Sequence, residues 1–448
     1  MINMLALLQC LAPVVTPTTL RQFSRIILAL LAMTGRVTML GISRWTEPGG
    51  SYRTVQRFFN TALDWSQIHW LLIKTHQLQP LATYILVGDE VVVTKAGDET
   101  HGLDRFFSSL FGKPVPGLAF FAFALVNVQQ RTAHPLRIGQ VLRPEPPAEP
   151  VPAPAAPAEK RGRGRPKGSK NRNKADVVLS PYLSFILTLL QAVKQMLGTT
   201  LAVTYVVLDG AFGNNYALQL VRRCQLQLIS KLAVNSALFF LYDGAYSGRG
   251  PHQKYGERVK YGALPGKYLK QTTTEKGICT EIYQFNALHK LFAQTLNVVL
   301  IVKTNTETGA RAHASLFSSD LNQTYDQIID YYTLRFQIEF NFRDAKQYWG
   351  LEDFMNVKET PVTNAANLAF CMVNIAQILR RQWQLKQPGF SVLDLKAHFR
   401  GLKYVAETLK LLPQKPEPIV MALRDFAGYP LYVGVWYTQR KNQESLPC

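Results

Sequence analysis

Hydrophobic residues recur at helical spacing along the first 80 residues. One run follows Thr19, RQFSRIILALLAM, and a second follows Ser51, YRTVQRFFNTAL. Each places apolar side chains three or four positions apart, which is typical of helices with one buried face. Thr19 and Ser51 are predicted to cap these helices, because a hydroxyl oxygen can accept hydrogen bonds from the first free backbone amides. Residues 1–80 are therefore predicted to form a helical domain.

Near residue 83 the pattern changes to nearly continuous apolar runs. TYILVGDEVVVTK, GLAFFAFALVNVQ and HPLRIGQVL predict three strands, and LAVTYVVLDG and LQLISKLAV predict two more. The segments SPYLSFILTLLQAVKQML, opened by Ser180 and Pro181, and NNYALQLVRRCQ are helical in pattern. Residues 81–355 are therefore predicted to form an α/β domain, a mixed sheet flanked by helices.

Later segments depart from this alternation. Residues 236–295 are rich in Gly, Tyr, Thr and Lys, with short β-like segments, and predict a β-rich insertion. A further strand, LNVVLIVKTN, precedes TYDQIIDYYTLRFQIEFNFRDAKQYWG, which predicts one continuous helix. Residues 356–448 are predicted to form a C-terminal helical region and a short aromatic tail.

A Pro-rich and then basic excursion, residues 143–176, interrupts the α/β pattern between a strand and a helix. Its basic part, RGRGRPKGSKNRNK, contains no acidic residue. Strands on both sides belong to one predicted sheet, so the excursion is an arm projecting from a single fold rather than a domain boundary. Its candidate contact residues are Arg161, Arg163, Arg165, Lys167 and Lys170.

The net charge of +20 and the sequence pI of about 9.7 favour a polyanionic partner, nucleic acid before an anionic membrane. The basic arm then has three interpretations: a phosphate-neutralising arm, an A·T minor-groove reader built on Arg163-Gly164-Arg165-Pro166, or an inert linker. Arg53 and Arg57 lie four residues apart on one helix face, where they contact DNA or are simply solvated.

Cysteine usage and apolar run lengths exclude other classes. The five cysteines are odd in number and lack metal-ligand spacing, which argues against a disulfide framework and a zinc site and indicates a reducing compartment. MINMLALLQCLAPVV and IILALLAM are too short or too interrupted for a signal peptide or a membrane span. No membrane partner is expected.

Two aspartates lie in unusually apolar surroundings. Asp89 is inside YILVGDEVVV, and Asp209 ends TYVVLDG. A carboxylate in a buried strand costs several kcal/mol unless it is paired or binds a metal, so each is either a satisfied structural residue or a ligand. Glu90 is predicted to point to the opposite face of the sheet from Asp89.

The predicted long helix carries a third acid. Tyr332, Arg335, Glu339 and Lys346 fall within about 60° of arc at 100° per residue, as one stripe. This stripe is either a solvated face with an Arg–Glu pair or part of a site. Asp89, Asp209 and Glu339 together form an oxygen-only ligand set that suits Mg²⁺ or Mn²⁺. Arg335, Lys346 and Tyr332 would then contact DNA.

The order of these elements resembles the ribonuclease-H-like fold of DDE transposases. The segment YTLRFQIEFNFRDAK resembles the Y-x2-R-x3-E-x6-K signature of the insertion-sequence-four superfamily of bacterial transposases, with Tyr332, Arg335, Glu339 and Lys346 at its four positions. GDEVVVTKAG and VVLDGAFGNN resemble the blocks around the first two acids.

The resemblance implies cut-and-paste DNA transposition by metal-dependent cleavage at transposon ends and strand transfer into target DNA. It also implies double-stranded DNA as partner, a homodimer in the active complex, and a bacterial cytoplasmic location. Some relatives stack a flipped base on a Trp in the insertion. Here a base would stack on Phe239, Phe240, Tyr242 or another aromatic residue, because no Trp lies between Asp209 and Trp349.

Two alternatives belong to other functional classes. The first is a catalytically inactive, transposase-derived DNA-binding protein, and the second is a ribonuclease-H-like nuclease without strand transfer. All three acids are present in the sequence, which favours an enzyme. Inverted repeats in the flanking DNA would favour a transposase over both alternatives.

Overall fold

The computed structural model describes residues 3–46, 49–108, 111–143, 173–246, 248 and 250–411. The first part of the chain is helical, as predicted. Its helices are α1 (Met4–Leu8), α2 (Pro17–Ala32), α3 (Met39–Trp45), α4 (Tyr52–Asn60) and α5 (Trp65–His76). Ser51 caps α4 as predicted. The prediction that Thr19 caps α2 is wrong: Thr16 is the cap, because Pro17 can occupy the first helical turn, where no amide donor is required.

One large mixed sheet forms the centre of the molecule. Its strands are β1 (Tyr84–Thr94), β2 (Asp104–Ser108), β3 (Lys113–Asn127), β4 (Thr132–Val141), β5 (Tyr205–Leu208), β6 (Gln227–Lys231), β7 (Leu238–Leu241), β8 (Tyr255–Arg258), β9 (Leu269–Glu275), β10 (Ile278–His289), β11 (Leu296–Asn305) and β12 (Arg311–Ser318). The strand order is β2-β3-β1-β5-β6-β12-β11-β10-β7-β8, with β4 also paired to β3 and β9 to β10.

The remaining helices cover this sheet. They are α6 (Pro181–Leu197), α7 (Asn215–Arg223), α8 (Tyr325–Leu334), α9 (Gln337–Trp349), α10 (Glu359–Gln384) and α11 (Val392–Lys410). Strand β1 pairs antiparallel with β3 and parallel with β5, and β5 pairs parallel with β6. A mixed sheet of this kind flanked by helices confirms the predicted ribonuclease-H-like fold class.

Alternating residues of β1 belong to two separate hydrophobic cores. Ile85 and Val87 face a core that includes α2, α9, α10 and α11, whereas Tyr84 and Leu86 face a core with α6 and α7. This alternation follows from the two-residue period of a strand. It places odd-numbered residues of β1, Asp89 among them, on the side of α9.

The segment predicted as a β-rich insertion contributes β7, β8, β9 and β10, which extend the central sheet. Strands β2 and β12 were not predicted. Each of these strands pairs with a longer neighbouring strand: β2 pairs with β3, and β12 pairs with β11. Such pairing is tertiary information that short sequence windows do not contain.

The N-terminal helices pack against the C-terminal ones. The Lys396 ammonium donates to the Leu30 carbonyl (2.8 Å) and the Arg400 guanidinium to the Ala32 carbonyl (3.0 Å), so α11 caps the end of α2. The Trp65 indole donates to Asn364 of α10 (2.7 Å). Most of the buried residues of α1–α5 therefore share one core with α10 and α11, on one side of the sheet.

Within the described residues, α10 is the one helix long and apolar enough to cross a membrane by length and hydropathy, with a mean hydropathy of 1.4. Of its most apolar stretch, 89% is buried inside the fold, as in a core helix. Cys10, Cys224, Cys279 and Cys371, the cysteines in the described part of the chain, are all free thiols.

Candidate active site

Two of the predicted acids lie side by side on the central strands. The parallel pairing of β1 and β5 matches Gly88 with Leu208, so Asp89 and Asp209 each follow a paired residue by one position. Neighbouring strands lie about 4.8 Å apart. The parallel register therefore places both carboxylates at one level of the sheet, at the carboxyl end of β5.

Backbone contacts hold Asp209 where β5 ends. Its Oδ1 accepts a hydrogen bond from the Ala211 amide (3.1 Å), and its carbonyl accepts one from the Ser230 hydroxyl (2.6 Å). No described donor contacts its Oδ2. The turn Gly210–Phe212 and the start of α7 follow directly. The loop thus bonds one carboxylate oxygen of Asp209 to its own backbone.

The third acid lies on a helix that begins at a break. The predicted continuous helix is instead two helices, α8 and α9, which meet at Arg335 and Phe336. At this break, backbone amides bond to the carbonyl three residues earlier, whereas in an α-helix they bond to the carbonyl four residues earlier. The Arg335 amide donates to the Tyr332 carbonyl (3.3 Å), and the Glu339 amide donates to the Phe336 carbonyl (3.1 Å). The tightened turn gives α9 its own start, with Glu339 in its first turn.

Arg335 joins two of the three acids. Its guanidinium contacts Asp89 Oδ2 at 2.9 Å and Glu339 Oε1 at 3.2 Å. The residue is 8% exposed, and its Nε has no described hydrogen-bond partner. Asp89 Oδ1 accepts a hydrogen bond from the Glu90 amide (2.8 Å). One buried arginine therefore supplies the positive charge between a strand carboxylate and a helix carboxylate.

This positive charge does not compensate the acids fully. Burial raises the pKa of Asp89 to about 6, and Asp209 and Glu339 add to the increase, although the Glu90 amide and Arg335 oppose it. All three carboxylates are thus close enough to interact electrostatically. The centre is short of positive charge when Asp89 is ionised.

The donor set fits a divalent cation. The carboxylates of Asp89, Asp209 and Glu339 offer only oxygen ligands, which hard cations prefer. Burial raises the pKa of Asp89, and the neighbouring Asp209 and Glu339 carboxylates add to the increase, which a bound cation would oppose. Among the described residues, no group of three or more His, Cys, Asp or Glu side chains is positioned to hold a metal ion together. Arg335 lies between two of the acids instead.

The other two residues of the helix stripe lie on either side of Arg335. The Tyr332 ring centroid is 6.0 Å from the Arg335 guanidinium carbon. Burial raises the pKa of Tyr332, and Asp209 acts in the same direction, so this ring belongs to the acidic centre. Lys346 lies further along α9, where its ammonium donates to the Val92 carbonyl (2.8 Å) and pairs with Glu352 (3.1 Å).

Tyr182 is a neighbour of this centre that sequence reasoning missed. Glu90 points to the opposite face of β1 from Asp89, as predicted, and there it accepts a hydrogen bond from the Tyr182 hydroxyl (2.8 Å). Burial and the facing Glu90 raise the pKa of Tyr182. No sequence signal indicates this pair, because 92 positions separate the two residues.

The predicted DNA-contacting residues elsewhere are only partly described. Arg53 and Arg57 are exposed on α4. Arg161, Arg163, Arg165, Lys167 and Lys170 lie outside the described residues. The described ends of that arm have separate neighbours. Burial raises the pKa of Glu90, and Arg143 opposes this increase, whereas the Lys174 carbonyl accepts a hydrogen bond from Asn215 (2.8 Å) in the first turn of α7.

A glycine in the Asp209 loop provides a test of how tightly this loop is packed. A Cβ at Gly213 would lie 2.0 Å from the Lys231 carbonyl oxygen, so Gly213→Ala is expected to displace the loop and destabilise the protein by about 2 kcal/mol. At Gly210 the nearest atoms would lie at 3.7 Å, an ordinary contact, so Gly210→Ala is the matched control. Urea unfolding of both variants measures the difference, and equal stabilities would contradict the packing described.

Comparison with known proteins identifies the wider group. The family model described as DDE superfamily endonuclease matches residues 7–283, more than half of the chain. The matched range contains Asp89 and Asp209 and ends before Glu339. A search of curated proteins found no match. Endonucleases of the DDE type generally use divalent metal ions.

Proposed function

Because the chain belongs to the DDE superfamily endonuclease family, we propose that it is a DNA transposase of the insertion-sequence-four superfamily. It would cleave DNA at transposon ends and join the freed ends to target DNA. One observation carries the proposal: Arg335 holds Asp89 and Glu339 together beside Asp209. Helices α8 and α9 and their junction, which carry the four residues that resemble the transposase signature, thereby meet the two strands that lead to the other acids.

We propose that Asp89, Asp209 and Glu339 hold Mg²⁺, for which Mn²⁺ can substitute. When bound, such ions supply positive charge to phosphate and activate a water or a 3′-hydroxyl. Arg335 sets the spacing of the Asp89 and Glu339 carboxylates. Tyr332 and the partly exposed Lys346 are proposed to contact the DNA strand, from positions on either side of Arg335 along the chain.

Double-stranded DNA is the proposed partner. The net charge of +20 supports it. The exposed Arg53 and Arg57 extend the basic surface to α4. A homodimer that joins two transposon ends follows from the resemblance to the transposase superfamily.

Cleavage of a plasmid that carries the gene with its native flanking DNA tests this function. Discrete breaks at the flanks are expected in Mg²⁺ and not in Ca²⁺, and Glu339→Gln is expected to remove them, because the variant keeps the shape of the side chain without its charge. Glu359→Gln, an exposed acid in the first turn of α10, is the matched control. Joined products in the same reaction would separate a transposase from a simple nuclease.

Each alternative predicts a different result. DNA binding without breaks in Mg²⁺ or Mn²⁺ would favour the inactive, transposase-derived DNA-binding protein. Breaks without joining, in the presence of target DNA, would favour a nuclease. Breaks that persist in Glu339→Gln would contradict the assignment of this acid.

A further inference from the structure

A polar cavity lies on the side of α9 away from the acidic centre. Its volume is about 360 Å³, and the residues that line it come from the end of α5, the β3–β4 turn, β4, α9 and α10. Phe340, the residue after Glu339, lies in its wall with 47% of its surface exposed. The cavity is thus adjacent to the catalytic helix but separate from the three acids.

The innermost residues of this cavity leave two polar atoms without partners. His134 and Asn341 are 4% and 3% exposed, and neither His134 Nε2 nor Asn341 Nδ2 has a described hydrogen-bond partner. Unpartnered buried polar atoms cost free energy, and native structures contain few of them. These two atoms are therefore free to bond to a water or to a ligand that enters the cavity.

The hydrogen-bonding character of these two atoms is fixed by Gln377. The Gln377 amide nitrogen donates a hydrogen bond to the Ala133 carbonyl (3.0 Å), which fixes the orientation of the Gln377 side chain. Gln377 Oε1 lies 2.7 Å from His134 Nδ1 and can only accept a hydrogen bond. His134 Nδ1 must therefore carry the ring hydrogen. Burial lowers the pKa of His134 to about 4, so the ring is neutral near pH 7. His134 Nε2 is then an acceptor and Asn341 Nδ2 a donor.

The outer part of the cavity is cationic. Arg343, Arg380 and Arg381 line it, with Asp344 as the one acidic residue among the lining side chains in the described structure. Asp344 pairs with Arg343, whose side chain is 52% exposed. Arg381 has no acidic partner in the described part of the chain, and it is close enough to His134 to influence its titration.

We propose that this cavity binds one nucleotide unit, with its base edge at His134 and Asn341 and its phosphate at Arg343 and Arg381. The Watson–Crick edge of every nucleobase offers a donor and an acceptor side by side. This pair matches the acceptor His134 Nε2 and the donor Asn341 Nδ2 inside the cavity. Arginine suits the phosphate at the mouth, and Phe340 offers a ring for stacking. The unit is either a free mononucleotide or the unpaired end of a DNA strand.

Titration of the full-length protein with deoxyadenosine monophosphate tests this site without any cleavage reaction, so its result is independent of the proposed transposase activity. One binding site is expected, and Arg381→Gln should weaken binding roughly tenfold or more, as for loss of a charge-assisted hydrogen bond. Arg44→Gln, an exposed arginine of α3 outside the cavity, should bind as the native protein does. Inorganic phosphate and deoxyadenosine should each bind more weakly than the nucleotide.

A competition experiment distinguishes the two sources of the nucleotide. Displacement of deoxyadenosine monophosphate by a duplex with an unpaired 3′ end, but not by a blunt duplex, would assign the site to a DNA strand. Failure of both duplexes to compete would assign it to a free nucleotide. Equal affinity for phosphate and nucleotide, or an unchanged affinity in Arg381→Gln, would overturn the proposal.

Discussion

Asp89→Asn is expected to abolish DNA cleavage and, in the absence of metal, to make the protein more stable at neutral pH. The loss of activity, on the order of 1,000-fold or more, follows because the carboxylate is central to the acidic cluster. The gain in stability follows because burial and two neighbouring carboxylates disfavour the charge that the substitution removes.

The pH dependence of the stability difference has a defined sign. The pKa of Asp89 is about 6 in the folded protein and near 3.8 in an ordinary environment, so the folded state binds the proton more tightly. The native protein therefore loses stability as the pH rises from about 4 to about 6. A pKa difference of about two units corresponds to an upper limit of about 3 kcal/mol.

Urea unfolding in EDTA, measured from pH 4 to pH 7.5, checks this prediction. The native protein and Asp89→Asn should be equally stable near pH 4 and should diverge in favour of the variant as the pH rises. Asp330→Asn, which removes an exposed partner of Arg131, should show no such divergence. An Asp89→Asn protein that is less stable than the native protein at pH 7 would show that Arg335 compensates Asp89 fully.

Two of the three acids of the centre could be predicted from the sequence, because they are charged residues in or next to strongly apolar segments. Asp89 and Asp209 occur within or directly after apolar strands, where an uncompensated charge is costly. The face on which Glu90 lies followed from strand alternation alone. Thr16 was missed because a cap is fixed by the residue that starts the helix, here Pro17.

The arrangement around Arg335 could not be predicted, because it depends on tertiary contacts. An ideal helix places Tyr332, Arg335, Glu339 and Lys346 on one stripe, yet the chain tightens at Arg335 and begins a new helix. The energetic reason is outside the helix: the guanidinium reaches Asp89 on β1. Lys346 likewise finds its acceptor on β1, the Val92 carbonyl, and the contact of Tyr182 with Glu90 joins distant segments.

Arg335→Met is expected to destabilise the protein by about 3 kcal/mol at pH 7, because it leaves Asp89 buried without its counter-charge. In an Asp89→Asn background, Arg335→Met should lower the free energy of unfolding much less, because the buried Asp89 charge is then absent. Unfolding of the native protein, both single variants and the double variant forms a complete cycle. Additive free energies would mean that the contact between Arg335 and Asp89 contributes nothing to stability.

Arg335→Lys separates the charge of this residue from its geometry. An ammonium keeps the positive charge but lacks the planar fork that reaches two carboxylates at once, so it can hold Asp89 or Glu339 but not both. Arg335→Lys should therefore be more stable than Arg335→Met but less stable than the native protein. Its cleavage rate should be roughly 100-fold below that of the native protein, the scale expected when one positioned donor is lost. Native-like cleavage by Arg335→Lys would mean that the centre requires a positive charge near Asp89, and not simultaneous contacts of Arg335 with Asp89 and Glu339. Arg335 would then be a counter-ion of Asp89 rather than the residue that sets the distance between strand and helix acids.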